Sequence, residues 1–411
     1  MEAMTHDPWR VAQELREQLS SDKRKLAFFF GAGTSIAAGL PGIEKLTEGI
    51  ENQLPEELKK QFKAIKDDLP ADSNVEQILD RIRTYRELIG KSEEKEYMSI
   101  RGSTAARDLD VAICQEISKA VAKESSNGIV SHITLAQWIR ALHFSRNTPV
   151  EMFTLNYDVL FEQAMEHVGV PFFDGFIGSV SPFFAPESVE AELTPESANT
   201  YPPISWTRLW KLHGSINWQI KKGAAGAQDR ITRLHGMQNG SGEELVIFPS
   251  REKYVDSRKL PFWAFQERLR RLLAGGECLL IILGYRFFDQ HLNEIILQGL
   301  RSNPRLAITA LQYADVPNEL ALYAKEYRNL SLIGSDKACI GGVVGTWSEP
   351  SVKRKSVESW PFWDDVARKF KLGDFAAFAS FLELFIGIGA PKHPKDTGPG
   401  EEAPVTGDIK R

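Results

Sequence analysis

The run KLAFFF, Lys25 to Phe30, stops at the glycine-rich stretch GAGTSIAAGLPG, Gly31 to Gly42. A buried strand entering a tight loop and then a helix is the natural reading. From about Glu44 to Arg146 the pattern turns helical. Ile78, Ile82, Tyr85 and Ile89 recur on one helical face. Leu109 to Ala122 and Leu135 to Phe144 continue the theme, with no good strand signal. Strand-like runs then return: Val150–Leu155 before NYD, Arg208–Leu212 before HG, Leu245–Phe248 before PS, and Cys278–Leu283 before Gly284. Leu306–Thr309 follows a helix expected to begin near Asp289. Each run is short, apolar and followed by polar or glycine residues. That suits central parallel strands buried on both faces, with functional residues at their C-terminal ends. The expected class is α/β, a Rossmann-like parallel sheet with an inserted helical module. Ser179–Pro203 and Lys221–Gly242 read as long surface loops.

A length of 411 residues gives a soft expectation of two to three domains. Fifty basic side chains against fifty-five acidic ones leave a net charge of -5. No global basic field draws the chain to nucleic acid or anionic membrane. The local clusters Lys23–Arg24–Lys25, Arg268–Arg270–Arg271 and Lys353–Arg354–Lys355 read first as solvated faces. Three cysteines, Cys114, Cys278 and Cys339, lie far apart. That argues against a disulfide framework and a four-cysteine zinc site, and fits a reducing cytoplasm. The N-terminus lacks the apolar core of a signal peptide. The longest apolar-rich stretch, Phe375–Ala390, is interrupted by Glu383, so no membrane span is expected.

Three motifs carry candidate chemistry. Gly31 and Gly33 let a diphosphate approach the main chain, and the helix that follows offers free N–H groups. Thr34 and Ser35 add hydroxyl donors. A tight turn with packing glycines is the alternative. The loop is not the usual dehydrogenase fingerprint, because its third glycine, Gly39, comes late, and no GK[ST] follows to make a P-loop. In FTLNYD, Asn156 and Asp158 sit two apart at a strand end and project to one side if the backbone stays extended. A strand-ending Asn/Asp turn is the alternative. In LWKLHGSINW, His213 stands where a strand gives way to glycine, and a merely packed histidine is the alternative. His6, His132, His143, His167, His235, His291 and His393 show no metal-ligand spacing.

Taken together, GAGTSIAAGLPG, TLNYD and LHGSINW resemble the sirtuin family, in its bacterial NAD-hydrolase branch of anti-phage defence systems. GYRFFDQHLNEI, Gly284 to Ile295, resembles the family's late segment closing over the adenosine end. The motifs follow the family order and frame roughly Lys25 to Leu300. The resemblance implies a NAD-binding catalytic domain in 1–44 and 146–310; patterning and composition outside its motifs give a helical module in 45–145, a C-terminal α/β extension in 311–390 and a disordered tail in 391–411. Departures point away from deacylation. The region after HG holds no cysteine pair, Pro41 is followed by Gly42 and Ile43, and Leu155 stands where deacylases carry Gln.

On this resemblance NAD is the substrate, with its diphosphate on Gly31, Ala32, Gly33, Thr34 and Ser35, and with Gly284 and Asp289 on the adenosine side. Asn156 would hold a water under the anomeric carbon. His213, with an ordinary pKa of about 6.5, can be neutral at pH 7 and would accept a proton from a ribose hydroxyl or from that water. Asp158 would grip the nicotinamide carboxamide. The products are ADP-ribose and nicotinamide, and no metal is expected. The same resemblance implies a homo-oligomer gated by a HerA-like ATPase or a phage-derived activator, with the Ser179–Pro203 loop or the helical module as gate. A zinc-free deacylase or ADP-ribosyltransferase, and an NAD- or ADP-ribose-sensing module associated with DNA, remain open alternatives.

Overall fold

Lys25–Phe30 forms the predicted strand, and Leu26 to Phe30 are buried. The computed structural model describes residues 4–122, 128–143, 146, 148–190, 203, 205–223, 229–234, 245–247, 256–352 and 360–386. On one side Lys25–Phe30 pairs in parallel with Val150–Thr154, which pairs in parallel with Thr207–Lys211. On the other it pairs in parallel with Cys278–Leu283, followed by Leu306–Leu311 and Leu330–Ile333, also parallel. Numbered by first appearance, these six strands lie side by side as 3-2-1-4-5-6. That is the doubly wound Rossmann order. The chain winds outward from Lys25–Phe30, then returns to its other side, which leaves a crevice above the C-terminal ends of the first and fourth strands. The glycine loop and Gly284 stand at those ends, and Asn156 and His213 follow the second and third strands.

Both faces of this sheet are covered. Ala27 and Phe29 point into one core layer, Phe28 and Phe30 into the other. Continuous apolar strands are what two covered faces require. Val130–Leu142 and Phe375–Glu383 pack in the second layer, where Trp138 meets Phe28 edge-on at 5.9 Å. Helix Val130–Leu142, expected within the helical module, therefore packs with the sheet. Residues expected as a C-terminal extension continue the same ten-stranded sheet, with antiparallel Lys337–Ile340 and Val343–Trp347 and the edge strand Thr5–His6.

The helical module has its own core. Ile43–Gln53, Glu56–Asp68, Val75–Ile89 and Gly102–Val121 share a cluster that includes Ile50, Phe62, Ile82 and Ile113. Two residues of the sheet domain, Tyr157 and Ile216, belong to the same cluster. A small hairpin, Glu96–Tyr97 with Ile100–Arg101, interrupts the helices where no strand was expected. Its turn residues Met98 and Ser99 adopt φ of 46° and 66°, the backbone of a tight two-residue turn. Two-residue strands are too short to show a periodic pattern.

A second, five-stranded sheet lies beside the first. Its long strand, Gly214–Lys221, begins directly after His213 and pairs antiparallel with Arg230–Arg233 and Leu245–Ile247. The expectation that Leu245–Phe248 is a central parallel strand is thus corrected. A short apolar run does not reveal which partner it will find. Arg230–Arg233, and Phe183–Phe184 with helix Pro186–Glu190, likewise lie in segments expected to be loops. Residues 191–202 of the Ser179–Pro203 segment, Lys353–Lys355 and the 391–411 tail lie outside the described residues. Among the described residues no helix is long and apolar enough to cross a membrane.

Candidate functional site

Two strand ends touch at the crevice. The Gly31 N–H donates to the Leu283 carbonyl at 3.0 Å, and the Gly33 N–H to the Gly284 carbonyl at 3.1 Å. A Cβ on Gly31 would lie 2.4 Å from the Gly284 oxygen, and one on Gly33 2.6 Å from the Gly284 Cα. Gly284 itself has φ of +71°, a region open to glycine at little cost. Packing is therefore one real role of these glycines. The Gly33 N–H is already committed, so it is not among the amides left for an anion.

Thr34 and Ser35 lie in the short helix Ala32–Ala37 and are buried. The Asn156 Nδ2 donates to the Thr34 Oγ1 at 2.8 Å, and the Thr34 hydroxyl donates to the Gly31 carbonyl at 3.0 Å. The Ser35 hydroxyl donates to the Asp158 Oδ2 at 2.5 Å. The structure thus joins the glycine loop to Asn156 and Asp158 by two side-chain bonds. Asp158 Oδ1 also accepts from the Leu160 N–H at 3.1 Å, so its turn-forming role is present as well.

Lys211 was not singled out in the sequence, yet its side chain is 1% exposed. Its ammonium donates to the Asp158 carbonyl and, at 2.9 Å, to Glu162 Oε1. It fastens the backbone carrying Asp158 to the strand leading into His213. The available signal was a lone lysine inside the apolar run LWKL, since buried lysines are rare unless paired.

His213 is 4% exposed. Its Nε2 lies 3.1 Å from Asp289 Oδ2. The other carboxylate oxygen of Asp289 accepts from the Leu292 N–H at 3.1 Å and caps helix Gln290–Ser302. Asp289, expected on the adenosine side of the ligand, therefore stands against His213. On the opposite edge, Nδ1 lies 3.8 Å from Glu76 Oε1, an ion-pair distance too long for a hydrogen bond. Glu76 comes from the helical module, and its carboxylate accepts the Tyr157 hydroxyl. It was missed in the sequence because it lies far along the chain from His213, and a glutamate in a first helical turn is unremarkable.

Burial alone would lower the His213 pKa, but the Asp289 hydrogen bond and the Glu76 carboxylate override it and raise it to about 9. These groups bias His213 towards its charged form. The ring sits between two carboxylates, which keep its proton on. For Asp289, burial pushes the carboxyl up, and the bond to His213 more than reverses this. His132 is the contrast. Buried against Phe161 and Phe375 at 4.9 and 4.8 Å, it is pushed down to about 4, burial outweighing the pull of Asp158.

A pH dependence follows. His213 titrates higher in the fold than the roughly 6.5 of an unfolded chain. Its ion pair therefore stabilises the fold fully below about pH 6.5 and less as pH rises through about 9. Thermal melts of wild type and Asp289→Asn are expected to differ most near pH 6 and to draw together towards pH 10. A gap independent of pH would show that the His213–Asp289 pair is not charged.

The three cysteines are buried, and none of them forms a disulfide among the described residues. Among the described residues no group of three or more His, Cys, Asp or Glu is placed to hold a metal ion. A cavity of about 300 Å³, lined by Ser21, Lys23, Arg24, Glu277 and Arg305, lies at the opposite, N-terminal end of the strands.

A parallel sheet in Rossmann order, with Asn, Asp, His and a glycine loop at its switch point, defines an α/β protein with a polar crevice site. Residues 150–333 match a family described as SIR2-like domain. That segment contains Asn156, Asp158, His213, Gly284 and Asp289, and the match supports a sirtuin-like family for this chain. No curated protein matches it. Similar solved structures include a Sir2 homologue–NAD complex, at 15% identity over 81% of this chain and 90% of that one, with a TM-score of 0.36. Sir2Tm bound to a propionylated peptide is 14% identical over 74% and 87%, with a TM-score of 0.34. An ADP-ribose complex of a mutant Sir2 homologue is 13% identical over 92% and 98%, with a TM-score of 0.39.

Proposed function

We propose that this protein is an NAD glycohydrolase. The observation carrying the reading is the bonding of Asn156 and Asp158 to the glycine loop, with His213 held against Asp289 after a neighbouring strand, at the switch point where doubly wound sheets bind their ligands. NAD would enter with its diphosphate near Gly31–Ser35 and its nicotinamide ribose towards Asn156 and His213. Cleavage of the bond between the anomeric carbon and the pyridinium nitrogen releases neutral nicotinamide, so the leaving group needs no general acid. The site's task is to place water beneath the oxocarbenium-like carbon and to remove a proton. Asn156, both donor and acceptor, suits the first role. His213 suits the second in its neutral form. Asp158 would accept from the carboxamide, exchanging its Ser35 bond for that contact. Water adds to the ribose, the proton passes to His213, and ADP-ribose and nicotinamide leave.

The wider role proposed is a gated anti-phage effector, homo-oligomeric and switched by a HerA-like ATPase or a phage-derived activator. The mutual bonding of the site's side chains supports gating, because NAD must displace these contacts to reach the reacting groups. A time course of NAD with purified protein, alone and with candidate partners, tests the reading by resolving nicotinamide, ADP-ribose and cyclic products. Intact NAD under every condition would end it. Elemental analysis is expected to find no stoichiometric zinc, and EDTA to leave the melting temperature unchanged. A zinc per chain, with a melt lowered by chelation, would reopen the deacylase alternative.

A further inference from the structure

The Val75–Ile89 helix is seated on the site by more than proximity. Asn74 caps it, accepting the Glu76 N–H at 2.9 Å, while the Asn74 N–H donates to Gln77 Oε1 at 2.9 Å. This capping box fixes the first turn, which carries Glu76. The Val75 N–H donates to the Thr47 hydroxyl at 3.0 Å, tying the turn to the neighbouring module helix. The module's core takes in Tyr157, between Asn156 and Asp158, and Ile216, three residues after His213. The Ile216 N–H and the Ser215 hydroxyl both donate to the Tyr157 carbonyl, at 3.0 and 3.3 Å. A displacement of the Val75–Ile89 helix therefore acts on both segments and takes Glu76 with it.

We infer that Glu76 is a positioning residue for His213. It holds the imidazole charged against Asp289, and His213 becomes able to accept a proton when the Val75–Ile89 helix draws away. The inference rests on the hydrolase reading and names how that site is kept silent. The charged groups facing the ring are Asp289, ahead of helix Gln290–Ser302, and Glu76, from the module. Tyr157 donates to Glu76, and His291 acts on Asp289 from the following turn. Arg83 and Arg86, further along the same helix as Glu76, are bound to the buried carboxylate of Asp110. With Glu76 withdrawn, the burial that disfavours charge remains and one of the two carboxylates that oppose it is lost. The balance then moves towards the neutral ring, the form a base requires.

The experiment compares wild type, Glu76→Gln and Glu76→Asp as full-length chains. His213 is titrated by NMR on histidine-labelled protein, with His213→Ala fixing the assignment and thermal melts checking the fold. Nicotinamide release is followed across pH 6 to 10. Glu76→Gln is expected to lower the His213 pKa by at least a unit. That raises the neutral fraction at pH 7, and with it basal NAD cleavage, about tenfold. The base-dependent limb of the pH–rate profile should move down by the same amount. Glu76→Asp, which keeps the charge, should stay near wild type. An unchanged titration in a folded Glu76→Gln protein would overturn the inference, and so would a lowered pKa accompanied by slower cleavage. A lowered pKa with no NAD loss in any of the proteins, whatever the partner, would uphold the hold of Glu76 on His213 and reject the hydrolase reading instead.

Discussion

Asn156→Ala is expected to cut NAD cleavage by about a hundredfold or more, the usual cost of losing one positioned polar group in such a site. The fold should tolerate the change. Among the described residues the Asn156 side chain makes one hydrogen bond, to the Thr34 hydroxyl, and that hydroxyl keeps its own donation to the Gly31 carbonyl. The Asn156 N–H bond to Thr154 Oγ1 is a backbone contact and survives the substitution. The expected phenotype is therefore a melting temperature close to wild type with nicotinamide release all but absent under activating conditions. Asn156→Asp serves as a companion. It keeps the acceptor but loses the donor to Thr34, and should recover little activity. Wild-type turnover by a folded Asn156→Ala protein would remove the residue from the mechanism.

How far the sequence anticipates this site depends on where each signal lies. Lys25–Phe30 and Cys278–Leu283 declare themselves because a strand covered on both faces must be apolar throughout. Asn156, Asp158 and His213 are visible because polar residues directly after such runs fall in the crevice. The sheet of Gly214–Lys221 was hidden, since its partner Arg230–Arg233 is only four residues long and the run at Leu245–Ile247, though visible as a strand, does not show which strand it will pair with. The surroundings of His213 were hidden for another reason. Its charge state depends on Glu76 and Asp289, which approach from distant elements, and no local pattern records a tertiary neighbour. The glycine loop was half legible: the need for glycine shows in the sequence, but its cause, the backbone of Gly284, does not.

That contact gives the largest stability effect expected. Gly31 has φ of -108°, so alanine could adopt its backbone without strain, and any cost of Gly31→Ala must be steric. The new methyl would sit 2.4 Å from the Gly284 oxygen and 2.8 Å from the Tyr285 Cα. Both obstacles are backbone, so no side chain can rotate aside. Relief requires the end of the Cys278–Leu283 strand to move away from the loop, weakening the Gly31 and Gly33 bonds to Leu283 and Gly284. Overpacking of this kind costs about 1–3 kcal/mol, and each weakened hydrogen bond adds up to about 1 kcal/mol. A total of about 1–5 kcal/mol is at its upper end a large share of the roughly 5–15 kcal/mol that holds a typical domain folded. Gly49→Ala is the matched control. It lies in helix Ile43–Gln53 with nothing within 4 Å of the added Cβ, and should stabilise by about 0.5–1 kcal/mol. Denaturant midpoints of the two variants should therefore move in opposite directions, with Gly31→Ala far the larger or too unstable to purify. A Gly31→Ala protein as stable as wild type would mean that the two strand ends do not meet as described.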